Sequence, residues 1–420
     1  MKGEAIRSEP ETGDAATVGD MHSFSLTRLE KVLSGTGCTR ELAGELSARG
    51  IERVLISTTR SLSPSRTLDL LIERLAPLNV SVCAASRQHA PHEAVRELTD
   101  TLIKDKVQAV ISLGGGSAID ATKVAVASLL NGRDMTREGG ELQLGAAFDQ
   151  ASDSTFLHIA VPTTLSAGAF TPAGGTTDSE KGVKHAIVDP RLQPAIVVHD
   201  PEMTEDTPRW LWVATGIRAL DHAIEAIYSR RHHPVSDALA KEAIRLLAYH
   251  LPRSVAEQPN RAADRLACLD AAWMSLFGGF NTGLGVSHAL GHQIGPAWNI
   301  PHGVTSCVTL PHAMRFVAEL APQRFAPIAE ALRLPPDGDA KALALRCADA
   351  VASLISDLEM PVSLQEVGVP AEELARIAEA TRSELESFDA TDRPVSVDEV
   401  MDMLSAAYPA PGASKYSHQN

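Results

Sequence analysis

Long apolar segments are missing from this 420-residue sequence, and no run approaches the roughly 20 residues that a membrane-spanning helix requires. Basic residues are also few, since 38 Lys and Arg stand against 53 Asp and Glu, for a net charge of −15. No basic stripe is visible, so the electrostatic footprint of a nucleic-acid or anionic-lipid partner is absent. We therefore expect a small-molecule partner, with no nucleic acid and no membrane.

The cysteines and the amino terminus both indicate a compartment. Five cysteines are scattered singly, without a C-x-x-C pair: Cys38, Cys83, Cys268, Cys307 and Cys347. An odd, unpaired set is typical of reduced thiols rather than of a disulfide framework. The first 20 residues carry five acidic residues and lack the apolar centre of a signal peptide. These features predict a cytoplasmic protein.

The length allows two domains, because single cores rarely grow beyond about 300 residues, and the first half has an α/β pattern. Short β-branched segments alternate there with helical patterns, which predicts βαβ units and a mostly parallel, Rossmann-like sheet. Strands are expected at 53–58, 80–86, 108–116, 155–164 and 194–200, and helices at 93–106 and 118–130.

The second half has a different pattern, in which apolar residues recur with a 3.6-residue period and predict helices alone. These helices are expected at 210–229, 236–251, 264–280, 323–334, 341–358 and 371–385. The predicted organisation is a disordered leader (1–23), an α/β dinucleotide-binding domain (24–202), an all-helical domain (203–408) and a flexible tail (409–420). An active site is expected in the cleft between the two domains.

A glycine-rich turn marks one candidate binding site. The segment VISLGGGSAIDATK places Gly114, Gly115, Gly116 and Ser117 between a predicted strand and a predicted helix. Glycines let the backbone approach a phosphate closely, and the helix amino terminus offers unpaired N–H groups. The spacing is not a P-loop, and Ile119 interrupts a G-x-G-x-x-G pattern. Simple turn chemistry therefore remains an alternative.

A second predicted strand end, VPTTLSAG, supplies the hydroxyls of Thr163, Thr164 and Ser166. Ligands bind at the carboxyl ends of such strands, so two polar strand ends favour a dinucleotide. Thr58, Asp120 and Lys184 complete the predicted cofactor-binding set. The segment after the first predicted strand has no acidic residue to repel a 2′-phosphate, so both NADH and NADPH are allowed.

Three of the fifteen histidines fall within fifteen residues, at His288, His292 and His302. His288 and His292 are four residues apart on a predicted helix and therefore share one face. His302 is expected in a following turn that returns toward this face, and His222 lies on an earlier helix. A lone histidine is usually a core or surface residue, but this clustering indicates a functional site.

Five segments, in this order, resemble those of the iron-containing (group III) alcohol dehydrogenases: GGGSAIDATK, VPTTLSAGAFTP, DPEMTEDTP, ATGIRALDHAIEA and GVSHALGHQIGPAWNIPHG. The similarity spans about residues 30–410, and MPVSLQEVGVP is among the segments most similar to the maleylacetate reductase branch. The resemblance implies a nicotinamide-dependent oxidoreductase and a homodimer. It also implies a divalent metal, iron or zinc, held by an Asp and three histidines, which carry over onto His222, His288 and His302.

The carboxylate ligand of the family does not carry over, because its position holds Arg218. Arginine stays protonated and repels a cation, so the metal is expected to be absent, although three histidines alone can hold zinc. Asp221 is expected to point about 100° away on its helix, as an outer or surface carboxylate. Arg218 itself could instead form a helix-surface ion pair with Asp221 or Glu225.

Arginine is a planar donor suited to a carboxylate, and the maleylacetate reductase branch reduces an unsaturated oxo-dicarboxylate. The predicted function is therefore a metal-independent NAD(P)H-dependent reductase of a small carboxylated carbonyl or enone. The predicted catalytic residues are Arg218, His222, His288, His292 and His302, with His292 facing the nicotinamide and His292 or His222 donating the proton. Two alternatives remain: a metal-dependent alcohol dehydrogenase, and a non-redox lyase, isomerase or cyclase.

Overall fold

A computed structural model describes residues 28–136, 143–144, 156–180, 183–388 and 391–409. The predicted leader and nearly all of the predicted tail lie outside these residues. The strands are β1 (Lys31–Ser34), β2 (Arg53–Thr59), β3 (Asn79–Ser86), β4 (Ala109–Gly114), β5 (Gln143–Leu144), β6 (Leu157–Pro162), β7 (Ala173–Asp178), β8 (Val183–Val188) and β9 (Ile196–His199). None of the described helices is both long and apolar enough to cross a bilayer.

The helices divide into a group that flanks the sheet and a group that follows it. The first group is α1 (Leu42–Ala48), α2 (Arg66–Arg74), α3 (His92–Lys104) and α4 (Gly116–Asn131). The second is α5 (Arg209–Tyr228), α6 (Pro234–Val255), α7 (Arg261–Thr282), α8 (Val286–Ala297), α9 (His302–Leu320), α10 (Ala326–Ala331), α11 (Ala340–Asp357), α12 (Leu374–Phe388) and α13 (Val397–Ala407).

Six strands form one parallel sheet in the order β1-β9-β6-β4-β2-β3. Side chains alternate across it, because successive residues of a strand point to opposite faces. Val54 and Ile56 of β2 enter the core on one face, and Leu55 enters the core on the other. Helices cover both faces, as a fully buried parallel sheet requires. The predicted α/β fold followed by a helical region is confirmed.

The structure adds elements that the sequence did not predict: the edge strand β1, the short strand β5, the hairpin of β7 and β8, and the helices α1, α2, α9 and α13. The β7 sequence, AGGTTD, has no apolar alternation to signal a strand. One of its two glycines, Gly174, matters for packing instead. A Cβ on Gly174 would lie 3.0 Å from the Val124 side chain of α4, so glycine lets the hairpin lie directly on that helix.

Helix α5 is the centre of the helical region. From Trp212 to Tyr228, every residue except Thr215 is buried, so the helix is covered on nearly all sides. Thr215 ties it to the sheet by accepting a hydrogen bond from the Leu165 backbone nitrogen at 3.1 Å. A Cβ on Gly303 would lie 2.4 Å from the Ala214 carbonyl oxygen. Glycine thus allows the start of α9 to touch α5 beside the carboxyl edge of the sheet.

Candidate functional site

The glycine turn and the second polar strand end lie side by side, because β4 and β6 are neighbours and Gly114 pairs with Pro162. Strand β4 ends at Gly114 and α4 begins at Gly116, so the predicted strand 108–116 was too long. No side chain caps α4, and the first amide groups of the helix are therefore available to a ligand.

Two buried hydroxyls face this turn. A Cβ on Gly115 would lie 3.1 Å from Thr164 Oγ1, and a Cβ on Gly116 would lie 3.3 Å from Ser166 Oγ. Neither hydroxyl has a hydrogen-bond partner among the described residues, although buried polar groups are normally paired. Free helix amides beside two unsatisfied hydroxyls make an anion cradle, and these residues fit the pyrophosphate of a dinucleotide.

Thr58 and Thr163 have structural partners. Thr58 is fully buried and its hydroxyl donates to the Leu113 carbonyl oxygen at 3.0 Å. Thr163 donates its backbone N–H to the Gly114 carbonyl at 3.0 Å, and its own carbonyl accepts from the Thr207 hydroxyl at 2.7 Å. Thr58 therefore joins β2 to the end of β4, and Thr163 joins the end of β6 to the end of β4.

The other predicted cofactor residues lie around the start of α4. Ser117 Oγ accepts a hydrogen bond from the His89 backbone nitrogen at 3.1 Å. Asp120 follows one turn later, and its Oδ1 would lie 3.9 Å from a Cβ on Gly168. Lys184 lies in β8 opposite Thr177, but its side chain is outside the described part of the chain.

One face of α5 carries four polar residues in the buried part of a mostly apolar helix. Arg218, Asp221, His222 and Glu225 are all buried, at the spacing of i, i+3, i+4 and i+7 that defines a helix face. Polar residues on a buried helix require partners from neighbouring helices. This spacing of polar residues was a signal in the sequence that Asp221 and Glu225 belong to the site. The sequence prediction overlooked it.

Arg218 is 9% exposed, so its ion pair with Asp221 forms as the alternative interpretation had it, but it is buried rather than on the helix surface. Its Nη1 donates to Ser306 Oγ at 3.1 Å and lies 3.8 Å from Asp221 Oδ2. Hydrogen bonds within the described residues engage Nη1 alone. Burial lowers the pKa of Arg218, while Asp221 and Glu225 oppose this effect. The guanidinium is thus charged, compensated by carboxylates, and has donors left for a ligand.

Asp221 is fully buried, so the surface half of the expectation was wrong, whereas an outer carboxylate that contacts the site through its neighbours agrees with the structure. Its Oδ2 accepts from Ser287 at 2.8 Å and from Ser306 at 2.6 Å, whereas Oδ1 has no hydrogen-bond partner among the described residues. Burial raises the pKa of Asp221, opposed by the nearby His288 and Arg218. Because Asp221 comes three residues after Arg218, it lies on the same face of α5, which α8 and α9 cover through Ser287 and Ser306.

Glu225 caps α8 from a different helix. Its carboxylate accepts from the backbone nitrogens of Gly285 at 2.6 Å and Ser287 at 2.7 Å, and from Nδ1 of His288 at 2.6 Å. Burial raises the pKa of Glu225 to about 7, against the lowering effect of these donors. Because Nδ1 of His288 meets a carboxylate, its proton is placed there and Nε2 points the other way.

The structure brings His222 and His288 together, with ring centroids 4.9 Å apart and planes at 29°. His222 Nδ1 and His288 Nε2 are both buried without a hydrogen-bond partner among the described residues. Burial lowers the pKa of each histidine well below its ordinary value, and Arg218 lowers both further. Both rings are therefore neutral at pH 7.

His292 and His302 form a second pair, with ring centroids 6.2 Å apart. His302 is the first residue of α9 rather than part of a turn. His89 approaches the same ring from the α/β half at 6.3 Å. Nδ1 of His292 lies 2.6 Å from Oε1 of Glu384 on α12. Sequence reasoning missed His89 and Glu384, because both are brought in by distant elements.

The donor set does not match the metal site that the resemblance implies. Within the described part of the chain, only Asp221, Glu225 and His288 place potential ligand atoms within 4.8 Å of one another, and this is not the predicted histidine trio. Backbone amides and serine hydroxyls donate hydrogen bonds to the two carboxylates. The charged guanidinium of Arg218, 3.8 Å from Asp221 Oδ2, repels a cation. The family's carboxylate position holds a buried guanidinium. We therefore derive no chemistry through a metal.

Comparison with known proteins gives matches along almost the whole chain. The family model "Iron-containing alcohol dehydrogenase" matches residues 30–201, and "Fe-containing alcohol dehydrogenase family, C-terminal" matches residues 212–408. A 1,3-propanediol dehydrogenase of Citrobacter freundii is 32% identical over 324 residues, covering 75% of this chain and 80% of the relative.

A maleylacetate reductase of Rhizobium sp. (strain MTP-10005) is 27% identical over 351 residues, covering 83% of this chain and 88% of the relative. The crystal structure of a 1,3-propanediol oxidoreductase superposes with a TM-score of 0.84 at 26% identity, covering 93% of this chain and 100% of the other. Maleylacetate reductases thus occur among the relatives together with dehydrogenases of small alcohols.

Proposed function

This chain belongs to the iron-containing alcohol dehydrogenase family, and we propose that it is an NAD(P)H-dependent reductase of a small carbonyl or enone that carries a carboxylate. The observation that carries the proposal is Arg218, a buried guanidinium in the place of the family's carboxylate ligand, with one nitrogen engaged by Ser306 and Asp221. The maleylacetate reductases among the relatives support the same substrate class.

The cofactor side of the proposal rests on the glycine turn. Amide groups at the start of α4, with the hydroxyls of Thr164 and Ser166, hold the pyrophosphate. A bound nicotinamide supplies the hydride. With no acidic residue after β2 to repel a 2′-phosphate, the chain takes NADH or NADPH.

Arg218 binds the substrate through the donors that Ser306 and Asp221 do not engage. A guanidinium holds a carboxylate through two parallel hydrogen bonds, or polarises a carbonyl oxygen on which negative charge develops. Asp221 lies 3.8 Å from the guanidinium and opposes the lowering of the Arg218 pKa that burial causes. Arg218 thus takes the electrophilic role that a metal has elsewhere in the family.

Reduction also needs one proton, which goes to the carbonyl oxygen, or to the α carbon when an enone is reduced at its double bond. Because burial keeps His222 and His288 neutral, they are poor donors. His292 is partly exposed and pairs with a carboxylate, and imidazole exchanges protons near neutral pH. We assign the proton transfer to His292.

The decisive experiment is NADH and NADPH oxidation with maleylacetate, run on protein whose iron and zinc content is known from elemental analysis. The proposal expects turnover that survives chelator treatment. Turnover that follows stoichiometric metal would support the alternative, a metal-dependent alcohol dehydrogenase, which the unpaired His222 Nδ1 and His288 Nε2 favour. Arg218→Asp restores the family's carboxylate, and we expect that variant to retain more metal than the wild type.

We also propose a cytoplasmic homodimer, in line with the unpaired cysteines and the resemblance. Sedimentation velocity at micromolar concentration tests the dimer, and a single species at the monomer mass would contradict it.

A further inference from the structure

One carboxylate of helix α12, that of Glu384, contacts His292, the proposed proton donor. Glu384 Oε1 lies 2.6 Å from Nδ1 of His292, and Glu384 Oε2 accepts from the Gln293 amide at 2.6 Å. The two partners are consecutive residues of α8, so both carboxylate oxygens are held by one helix. The carboxylate is only 18% exposed.

The rest of α12 supports this contact. Arg376, two turns earlier, lies over the Trp298 ring at the end of α8, with 5.5 Å from the guanidinium carbon to the ring centroid. Leu385 and Ile377 are buried in the core that α12 shares with α8. Glu384 is therefore held in position by a helix that packs into the core.

We propose that Glu384 is the positioning residue of the proton donor: it holds one proton of the His292 imidazolium on Nδ1, so that the proton delivered to the substrate leaves from Nε2, which then regains a proton from solvent at this partly exposed ring. This inference rests on the function proposed above. The carboxylate accepts from Nδ1–H and thereby selects the tautomer and the ring orientation. It also stabilises the imidazolium that exists before the proton leaves. Gln293 holds the second oxygen, which keeps the carboxylate from rotating away.

Helix α12 also carries a second glutamate that is suited to a control variant. Two residues beyond Glu384, Glu386 is exposed and pairs with Arg382 one turn away on the same helix. Surface ion pairs of this kind contribute little to the free energy of unfolding. Glu386→Gln removes the same charge from the same helix without touching α8, so it is the matched control for Glu384→Gln.

The first test is a double-mutant cycle in steady-state kinetics, with Glu384→Gln, His292→Asn, the double variant and the control. We expect Glu384→Gln to lower kcat by about 10- to 100-fold, as for other partners that orient a reactive histidine, with little change in the KM for the cofactor. If Glu384 acts through His292, it adds no further loss in the His292→Asn background. Losses that multiply in the double variant, or a Glu384→Gln kcat within twofold of the control, would overturn the inference.

The second test needs no turnover. The ring nitrogens of 15N-histidine-labelled protein report the tautomer of His292, assigned by comparison with His292→Asn. We expect neutral His292 with Nδ1 protonated in the wild type, and a loss of this preference in Glu384→Ala. A wild-type ring with its proton on Nε2 would refute the inference. Failure of the proposed function would appear separately, as wild-type protein that never oxidises NAD(P)H while the tautomer remains as expected.

Discussion

Glu225 accepts a hydrogen bond from Nδ1 of His288 at 2.6 Å, across 63 positions of the chain. The same carboxylate accepts hydrogen bonds from the backbone nitrogens of Gly285 and Ser287 at the start of α8. One side chain therefore caps the helix and orients its first histidine. Glu225→Ala leaves these buried donors without an acceptor, so we expect the free energy of unfolding to fall by about 3 kcal/mol.

Urea denaturation of Glu225→Ala checks this value. The control is Glu242→Ala, which removes a surface carboxylate that pairs with Arg245 on α6 and should change stability by no more than about 0.5 kcal/mol. Equal losses of stability in the two variants would show that the hydrogen bonds of Glu225 contribute no more than a surface ion pair does.

Arg218→Lys separates charge from geometry in the substrate site. The variant keeps a cation but loses the planar pair of donors. A charge-assisted hydrogen bond contributes about 1.5–3 kcal/mol, so we expect kcat/KM for a carboxylated substrate to fall by about 10- to 150-fold.

Steady-state kinetics with a carboxylated carbonyl and its uncharged analogue check this prediction. The loss should be larger for the carboxylated substrate. Arg209→Lys, at the exposed start of the same helix, serves as the control. A similar loss for both substrates would argue against carboxylate binding by Arg218.

Thr164→Val tests the cofactor cradle. The hydroxyl of Thr164 is buried without a partner among the described residues, so its removal relieves an unsatisfied polar group. We expect the free protein to unfold at an equal or higher temperature, while the Kd for NADH rises by about tenfold, the equivalent of one hydrogen bond.

Thermal unfolding and NADH fluorescence titration measure the two effects. Thr101→Val is the control, since the Thr101 hydroxyl donates to the Glu97 carbonyl within α3. Unchanged NADH affinity in Thr164→Val would remove this hydroxyl from the cofactor site.

His158 makes stability depend on acid. It is fully buried against Ser112, and burial lowers its pKa to about 3, with Lys123 lowering it further. The unfolded chain, with an ordinary histidine, binds more protons than the folded chain between about pH 6.5 and pH 3. Stability from this group is therefore present above pH 6.5 and is lost as pH falls toward 3.

Denaturation curves at several pH values check the prediction with His158→Gln. The variant should lose less stability between pH 7 and pH 4 than the wild type does, whatever its stability at pH 7. His232→Gln, at a partly exposed position, should follow the wild-type curve. Parallel curves for the wild type and His158→Gln would mean that another group carries the acid dependence.

Local patterns of residues account for much of what could be predicted. The parallel strands are contiguous β-branched segments, and the turn Gly114–Gly116 is a contiguous strand–glycine–helix pattern whose pairing with the VPTTLSAG strand end follows from parallel topology. The β7–β8 hairpin escaped prediction, because Gly174 fits the surface of α4 and the segment AGGTTD carries no strand pattern of its own.

The sequence was enough to place His288 and His292 on one helix face and to place a guanidinium, Arg218, one turn from His222, since both placements follow from helix geometry. Tertiary structure alone decided which carboxylate meets each of these groups: Glu225 for His288 and Glu384 for His292. A helix face has the same sequence pattern whether solvent or another helix covers it. Only the packing of α5, α8, α9 and α12 therefore decides which polar atoms are buried, paired and able to act.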